Sequence, residues 1–438
     1  MDYAFVPIIM FGLLIFFLAM GIPVLYTVGI VAVFSAFFMW GPNSIFGLVM
    51  ATVGIMNSWS LLAVPLFVFM SVMLFETGVV EELYDSFYQF TANLRGGLAV
   101  CSVMVGALMG AMTGVVAGSV IALTTIALPQ MLKYKYDKHI SMGAVLSGGT
   151  LGQLIPPSTV MIVYGTLTGV SVGRLFAIGV SSGLFLAALY CAYILIRCLI
   201  NKNLCPPMPI EDRLPMKENL KRLKVVWAPV VLVLSVLGSI FSGLATPTEA
   251  AAVGSAASLI VAAMRRRLTA KAFLNTCLST LKTTSMVGFI SLSASFFGQV
   301  FIAAGGNTFI LSLADIIPFG AYGVLILTMI IVFFLGMFLD TIAIVIICAP
   351  IFTPLITSVG IDPLWFALLF MVNIQAAYLT PPFGMSIYYM KSALHPSLGL
   401  QLKDIMASTF PFIALQLIGL LLCAFIPIIG MWGNLVFM

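Results

Sequence analysis

Two stretches of this chain set prolines, glycines and polar side chains in the middle of apolar sequence. The first is Gly148-Gly149-Thr150-Leu151-Gly152-Gln153-Leu154-Ile155-Pro156-Pro157-Ser158-Thr159, and the second is Asn373-Ile374-Gln375-Ala376-Ala377-Tyr378-Leu379-Thr380-Pro381-Pro382-Phe383-Gly384. A proline pair removes two amide donors and clashes with the preceding turn, so each stretch predicts a helix broken at its centre, with backbone carbonyls released. Released carbonyls suit a hard cation such as Na+. Thr380 before Pro381 reads as an N-cap with proline at the first helical position. A half-helix starting there would aim its positive end at a substrate carboxylate.

Two more polar points interrupt apolar runs. In the run 97–131 they are Thr113, Gly114, Gly118 and Ser119, and in the run 321–356 they are Gly336, Asp340 and Thr341. A small-residue break in the middle of each run predicts a hairpin of two half-length helices. An Asp at the centre of a membrane helix costs roughly 2.5 to 3.5 kcal/mol, so Asp340 is expected to face a cavity, a partner or a cation. Glu249, in Thr246-Pro247-Thr248-Glu249, has the position of a carboxylate complementing a helix start. Glu76, Glu81, Glu82 and Asp85 read as a solvated helix end. The seven cysteines form no CxxC pair, and His139 and His395 lie far from any HExxH spacing. Disulfide and metal-hydrolase chemistry therefore find no support. An intramembrane enzyme also lacks paired carboxylates or a Ser/His or Cys/His couple at depth.

The elements that must carry these points are membrane helices. Of 438 residues 62% are hydrophobic and 8% charged, against roughly a quarter charged in soluble domains. A crossing needs about 20 apolar residues. The runs predict crossings near 4–20, 22–40, 50–76, 140–168, 174–200, 226–242, 246–264, 277–303, 364–390 and 403–429, besides the two hairpins. The first run has no cationic lead or cleavage site and reads as a retained span. With both hairpins re-entrant, the loops holding Arg95, Lys133, Lys138, Arg197, Lys202, Arg265 and Lys403 share one side, and the other side keeps only Arg174. Lys282 lies just inside a span and would snorkel to the basic side. The bias predicts a cytoplasmic basic side and both termini outside.

The chain also repeats itself. Pro129, Asp137, Pro156 and Pro157 recur as Pro354, Asp362, Pro381 and Pro382, each displaced by 225 residues, and Pro23 and Gly29 foreshadow Pro247 and Gly254. Residues 1–200 form one copy and 226–438 the other, and an odd number of crossings per copy requires the second to be inverted. The hairpins then fall at about 97–131 and 321–356, and the broken helices at about 140–168 and 364–390. Between the copies, 201–225 reads as a polar cytoplasmic linker, whose portion 217–224 could form a basic amphipathic helix on anionic headgroups. The expected fold is an all-α polytopic membrane protein of two inverted repeats with re-entrant hairpins and broken helices. Such repeats meet at a substrate and ion site near the bilayer midplane.

At these residues the sequence resembles the large membrane (M) subunit of tripartite ATP-independent periplasmic (TRAP) transporters. The resemblance rests on Ala-Thr-Pro-Thr-Glu-Ala-Ala-Ala-Val-Gly at 245–254, Ile-Pro-Pro-Ser at 155–158, Gly-Met-Phe-Leu-Asp at 336–340 and Leu-Thr-Pro-Pro-Phe-Gly at 379–384. It implies an elevator-type, sodium-coupled importer of an organic acid in a bacterial inner membrane. It also implies two partners, a small four-helix membrane (Q) subunit and a periplasmic substrate-binding protein. No cofactor is implied, only Na+ as coupling ion. The sodium regions it points to are Thr113, Gly114, Ser119, Gly149, Gly152 and Pro156 in the first copy, and Gly336, Asp340, Thr341, Tyr378 and Thr380 in the second. Expected substrate contacts are Gln153, Ser158, Asn373, Gln375 and Thr380. Gln153 and Ala377 depart from the family pattern, standing where an apolar residue and a glycine are usual. The alternative is a stand-alone anion or Na+/H+ transporter of similar architecture that needs no binding protein.

Overall fold

The computed structural model describes residues 5–114, 116–306, 308 and 317–438, and every regular element among them is helical. Eight helical stretches among these residues are long and apolar enough to cross a membrane. The chain is a polytopic membrane protein.

The first half runs α1 (Val6–Ala19), α2 (Val24–Trp40), α3 (Ser44–Met56), α4 (Ala63–Glu76), α5 (Val79–Thr91), α6 (Gly97–Thr113), α7 (Val116–Lys133), α8 (Lys138–Thr150), α9 (Thr159–Thr168) and α10 (Val172–Ile200). The second runs α11 (Met216–Phe241), α12 (Pro247–Met264), α13 (Ala270–Ala303), α14 (Gly320–Phe338), α15 (Thr341–Ser358), α16 (Pro363–Leu379), α17 (Met385–Ala393), α18 (Leu402–Phe425) and α19 (Ile428–Phe437).

The sequence offset reappears in the helix boundaries. Helix α7 begins and ends 225 residues before α15. Asp137 and Asp362, also 225 apart, each cap a helix by accepting from two backbone N–H groups, those of His139 and Ile140 in one case and of Leu364 and Trp365 in the other. Such a cap stabilises a helix by about 1 kcal/mol. The halves also interlock reciprocally. Helix α7 packs on α17, and its counterpart α15 packs on α9, so each hairpin leans on the second half-helix of the other copy.

Loop contacts sort into two ends. At one, Gly96 N donates to Cys205 O (3.2 Å) and Asp137 N to Leu204 O (2.7 Å), and Lys138 pairs with Asp404 at 2.7 Å. Arg265 pairs with Glu82 at 2.5 Å, so Glu82 is an ion-pair partner rather than a merely solvated acid. The side chains of Glu81 and Asp85 lie outside the described residues. At the other end, a cavity of about 830 Å³ gathers Trp59, Ser60, Ser171, Gly173, Ala245, Thr248 and Met438. There Arg174 Nε donates to Asn434 Oδ1 (3.0 Å).

Three expectations change. The crossing read at 50–76 is two helices, because the chain turns at 57–62, where Thr248 Oγ1 donates to Trp59 O (2.9 Å). The polar stretch 201–225 is non-α only to Pro215. From Met216 it is the start of α11, which continues unbroken to Phe241, so 217–224 is not a separate surface helix. The last apolar run stops at Phe425, and a further helix, α19, folds back onto α10, with Ser181 Oγ donating to Gly430 O.

Candidate substrate and ion site

Both broken helices are present. In the first copy α8 ends at Thr150, a 3-10 turn covers Leu151–Gln153, and α9 restarts at Thr159 with Ser158 as its N-cap. In the second, α16 ends at Leu379 and α17 restarts at Met385. The Pro156-Pro157 and Pro381-Pro382 peptides are both cis. The prolines end the first half-helix of each pair because they bring no N–H to continue its ladder.

The hairpin arms seat on these breaks through missing side chains. A Cβ on Gly106 would lie 2.5 Å from Gly148 C, and one on Gly110 would lie 2.3 Å from Gly152 Cα, so α6 meets the end of α8 backbone to backbone. Gly149 has the same relation to Val120 of α7, whose backbone N would be 3.1 Å from an added Cβ. The first tip turns at Gly114, whose φ of 59° is left-handed, and it abuts Pro157 O. Ser119 is buried beside Gly152. The side chain of Thr113 lies outside the described residues. In the second copy Gly336 presses on Ala377, to whose Cβ an added Cβ would approach 2.6 Å. A glycine at 336 lets the larger Ala377 stand in the broken helix.

At the second tip Asp340 is the N-cap of α15. Its Oδ2 accepts from Ile342 N (3.2 Å), and its Oδ1 accepts from Tyr378 Oη (2.9 Å). The carboxylate thus joins hairpin and break. Tyr378 Oη also lies 3.4 Å from Tyr389 Oη of α17. The carbonyls of Gln153 and Tyr378, residues 225 apart, are treated alike. Ser158 Oγ donates to Gln153 O and Ser386 Oγ to Tyr378 O, both at 2.7 Å.

The copies then meet through side chains. Thr341 Oγ1 donates to Gln153 Oε1 (3.1 Å), linking the second tip to the first break. Gln375 Nε2 donates to Thr150 Oγ1 (3.4 Å), and these two positions are themselves 225 apart. In two units related by a two-fold axis, equivalent residues touch where the axis passes, so this contact marks the centre of the repeat interface. Beside it Gln153 Nε2 and Gln375 Oε1 are buried without a hydrogen-bond partner, a condition that costs on the order of 1–3 kcal/mol for each such group.

The two breaks therefore bring together Gly114, Ser119, Gly149, Gly152, Gln153, Pro156 and Ser158 in the first copy, and Gly336, Asp340, Thr341, Gln375 and Tyr378 in the second. Two expected residues behave otherwise. Asn373 donates from Nδ2 to Met329 O (2.7 Å), bracing α16 against α14 on another face. Thr380 is the C-cap of α16, not an N-cap, and its hydroxyl donates back to Ala376 O (2.8 Å). The turn runs on to Gly384, so the positive helix end lies at Met385. Glu249 forms a capping box with Thr246 at the start of α12, the helix-start role its position suggested. Thr150, Ser386 and Tyr389 were missed. Thr150 had a signal, since it is the position paired with Gln375 by the repeat.

Paired hairpins seated on paired broken helices at the junction of two copies define an α-helical secondary-transporter fold. A solved transporter, YdaH of Alcanivorax borkumensis, has a similar fold, with a TM-score of 0.61 at 13% identity over 91% of this chain and 90% of that one. The chain belongs to the family described as "Tripartite ATP-independent periplasmic transporter, DctM component", matched over residues 11–429. It is similar to the C4-dicarboxylate TRAP transporter large permease protein of Pseudomonas aeruginosa, at 31% identity over 90% of each chain. It is also similar to the ectoine TRAP transporter large permease protein of Halomonas elongata, at 27% identity over 97% of this chain and 98% of the relative. Both of these relatives are transporter permeases and not enzymes.

Proposed function

We propose that this chain is the translocating subunit of a sodium-coupled importer that moves an organic acid across a bacterial inner membrane. In this reading a periplasmic binding protein delivers the acid and a small Q subunit completes the membrane part. The observation that carries it is the joining of Asp340, Thr341, Tyr378 and Gln153 at the meeting of both hairpins and both breaks. Two membrane-embedded turns, each with a proline pair and a polar hairpin tip, offer the oxygen donors that Na+ prefers. Na+ is a co-substrate at each: by Gly114, Ser119, Gly149, Gly152 and Pro156 in one copy, and by Gly336, Asp340, Thr341 and Tyr378 in the other. The acid binds between them, near Gln153, Ser158 and Gln375. The basic end is cytoplasmic under the positive-inside rule, which puts the Arg174 end and both termini in the periplasm.

The test is uptake by proteoliposomes carrying this chain and its Q subunit. An inward Na+ gradient together with added binding protein should drive accumulation. Equal uptake on a proton gradient without Na+ would overturn the sodium reading. Full uptake by this chain alone would overturn the tripartite one.

A further inference from the structure

The two glutamine side chains at the repeat interface carry information about what is transported. Gln153 is 2% exposed and Gln375 is fully buried, and each has one amide atom engaged and the other without a partner. Which atom is free follows from the hydroxyl each one meets. Thr150 Oγ1 donates its proton to Ser147 O (3.0 Å), so towards Gln375 it can only accept. Gln375 must therefore present its NH2 to Thr150 and leave its carbonyl oxygen free. Thr341 Oγ1 has its proton available, and donating it to Gln153 Oε1 satisfies both groups. That leaves the NH2 of Gln153, with two protons, free. One 3-10 turn separates Thr150 from Gln153, so the residue with the free donor lies within a single turn of the residue that holds the one with the free acceptor.

A ligand that fills both needs by hydrogen bonds must itself offer an acceptor and a donor, whereas a Na+ at the Gln375 carbonyl would answer only one of them. A carboxylate oxygen answers the Gln153 NH2. A second carboxylate would set its lone pairs against the Gln375 carbonyl, whereas a hydroxyl or ammonium group would donate to it. Lys138, Arg265, Arg174 and Arg213 do not take that role, because they are engaged at loops and helix ends, with Asp404, Glu82, Asn434 and Met208 O. From this complementarity we infer that the transported acid carries a hydrogen-bond donor, a hydroxyl or an ammonium, close to its carboxylate, and that Gln375 recognises that donor while Gln153 holds the carboxylate. The inference rests on the two breaks being the substrate site. It narrows organic acids to hydroxy or amino acids.

Binding to the purified full chain in Na+, read as thermal stabilisation against acid concentration, tests it with matched acids. The pairs are succinate with malate, glutarate with 2-hydroxyglutarate, and propionate with alanine. In at least one pair the acid with the added donor should bind about tenfold or more tightly, since a buried site that loses its hydrogen-bond partner discriminates strongly. Gln375→Leu should bring that ratio close to one. Gln153→Leu should weaken both members of the pair and leave the ratio as it was. The ratio is internal to each preparation, so partial loss of folded protein does not affect it. Equal binding within every pair, or an unchanged ratio in Gln375→Leu, overturns the donor requirement, and if that binding is Na+-dependent the transport reading stands. Absence of Na+-dependent binding by all six acids overturns both.

Discussion

Asp340 is where charge, capping and the junction of elements coincide, so its variants separate those roles. Asn keeps a side-chain oxygen for Ile342 N and so retains the cap, but it loses the charge that attracts a cation and that strengthens the bond from Tyr378. Asp340→Asn is expected to melt within a few degrees of the parent while Na+-driven uptake falls at least about tenfold. Asp340→Ala loses the cap as well and should be less stable by about 1 kcal/mol. Uptake by Asp340→Asn equal to the parent would reduce this residue to a structural cap. The sequence made Asp340 legible because an acid in an apolar run is conspicuous. It could not separate Asn373 from Gln375. Two residues apart on a helix they face roughly 200° apart, but α16 is buried along almost its whole length, so no polar face distinguishes the bracing amide from the one at the axis. Thr380 misled for a related reason. A threonine before proline fits an N-cap, and only the course of the turn to Gly384 shows that it closes the helix before the break.

At the scale of elements, the seating of hairpin on broken helix depends on glycines of two kinds. Gly110 has no room for a Cβ against Gly152, whereas a Cβ on Gly118 would meet nothing within 4 Å. Gly110→Val should therefore destabilise the protein by about 1–3 kcal/mol, as overpacking does. Gly118→Ala should leave the melting temperature near that of the parent, even though both glycines read as parts of the same hairpin. Detergent melting curves check the contrast, and equal effects would mean that α6 does not meet α8 backbone to backbone. The hairpins and breaks were legible because small residues interrupt apolar runs and because Pro129, Asp137, Pro156 and Pro157 recur at one offset, which local propensity alone would not produce. The division of α3 from α4 was not. Asn57-Ser58-Trp59-Ser60 is a turn signal, but it is short and sits between long apolar runs, so hydropathy outweighs it. The start of α11 was hidden in the opposite way, because its first turns are basic and read as linker while helix propensity carries through them.

Across the whole molecule, loop charge and loop contacts sort residues into the same two ends, so sidedness can be measured directly. In a background without native cysteines, Leu244→Cys, 84% exposed at the Arg174 end, should react with an impermeant maleimide in intact spheroplasts. Lys202→Cys, at the basic end, should react only after permeabilisation, and the reverse pattern would invert the protein. Motion is the larger question. Helix α4 packs on α12 and α13, while α10 packs on α6, α16, α18 and α19, the set that holds the hairpins and breaks. An elevator needs these two sets to slide past one another, and Phe67 of α4 meets Phe176 of α10 edge to face at 6.1 Å between ring centres. Phe67→Cys with Phe176→Cys, bridged by a short bis-maleimide, should abolish uptake, while each single variant treated in the same way keeps it. Binding of the acid in Na+ should survive the bridge, because the site lies wholly on the α10 side. Full uptake by the bridged protein would show that the two sets need not part, and substrate would then have to cross by gating at the hairpin tips alone.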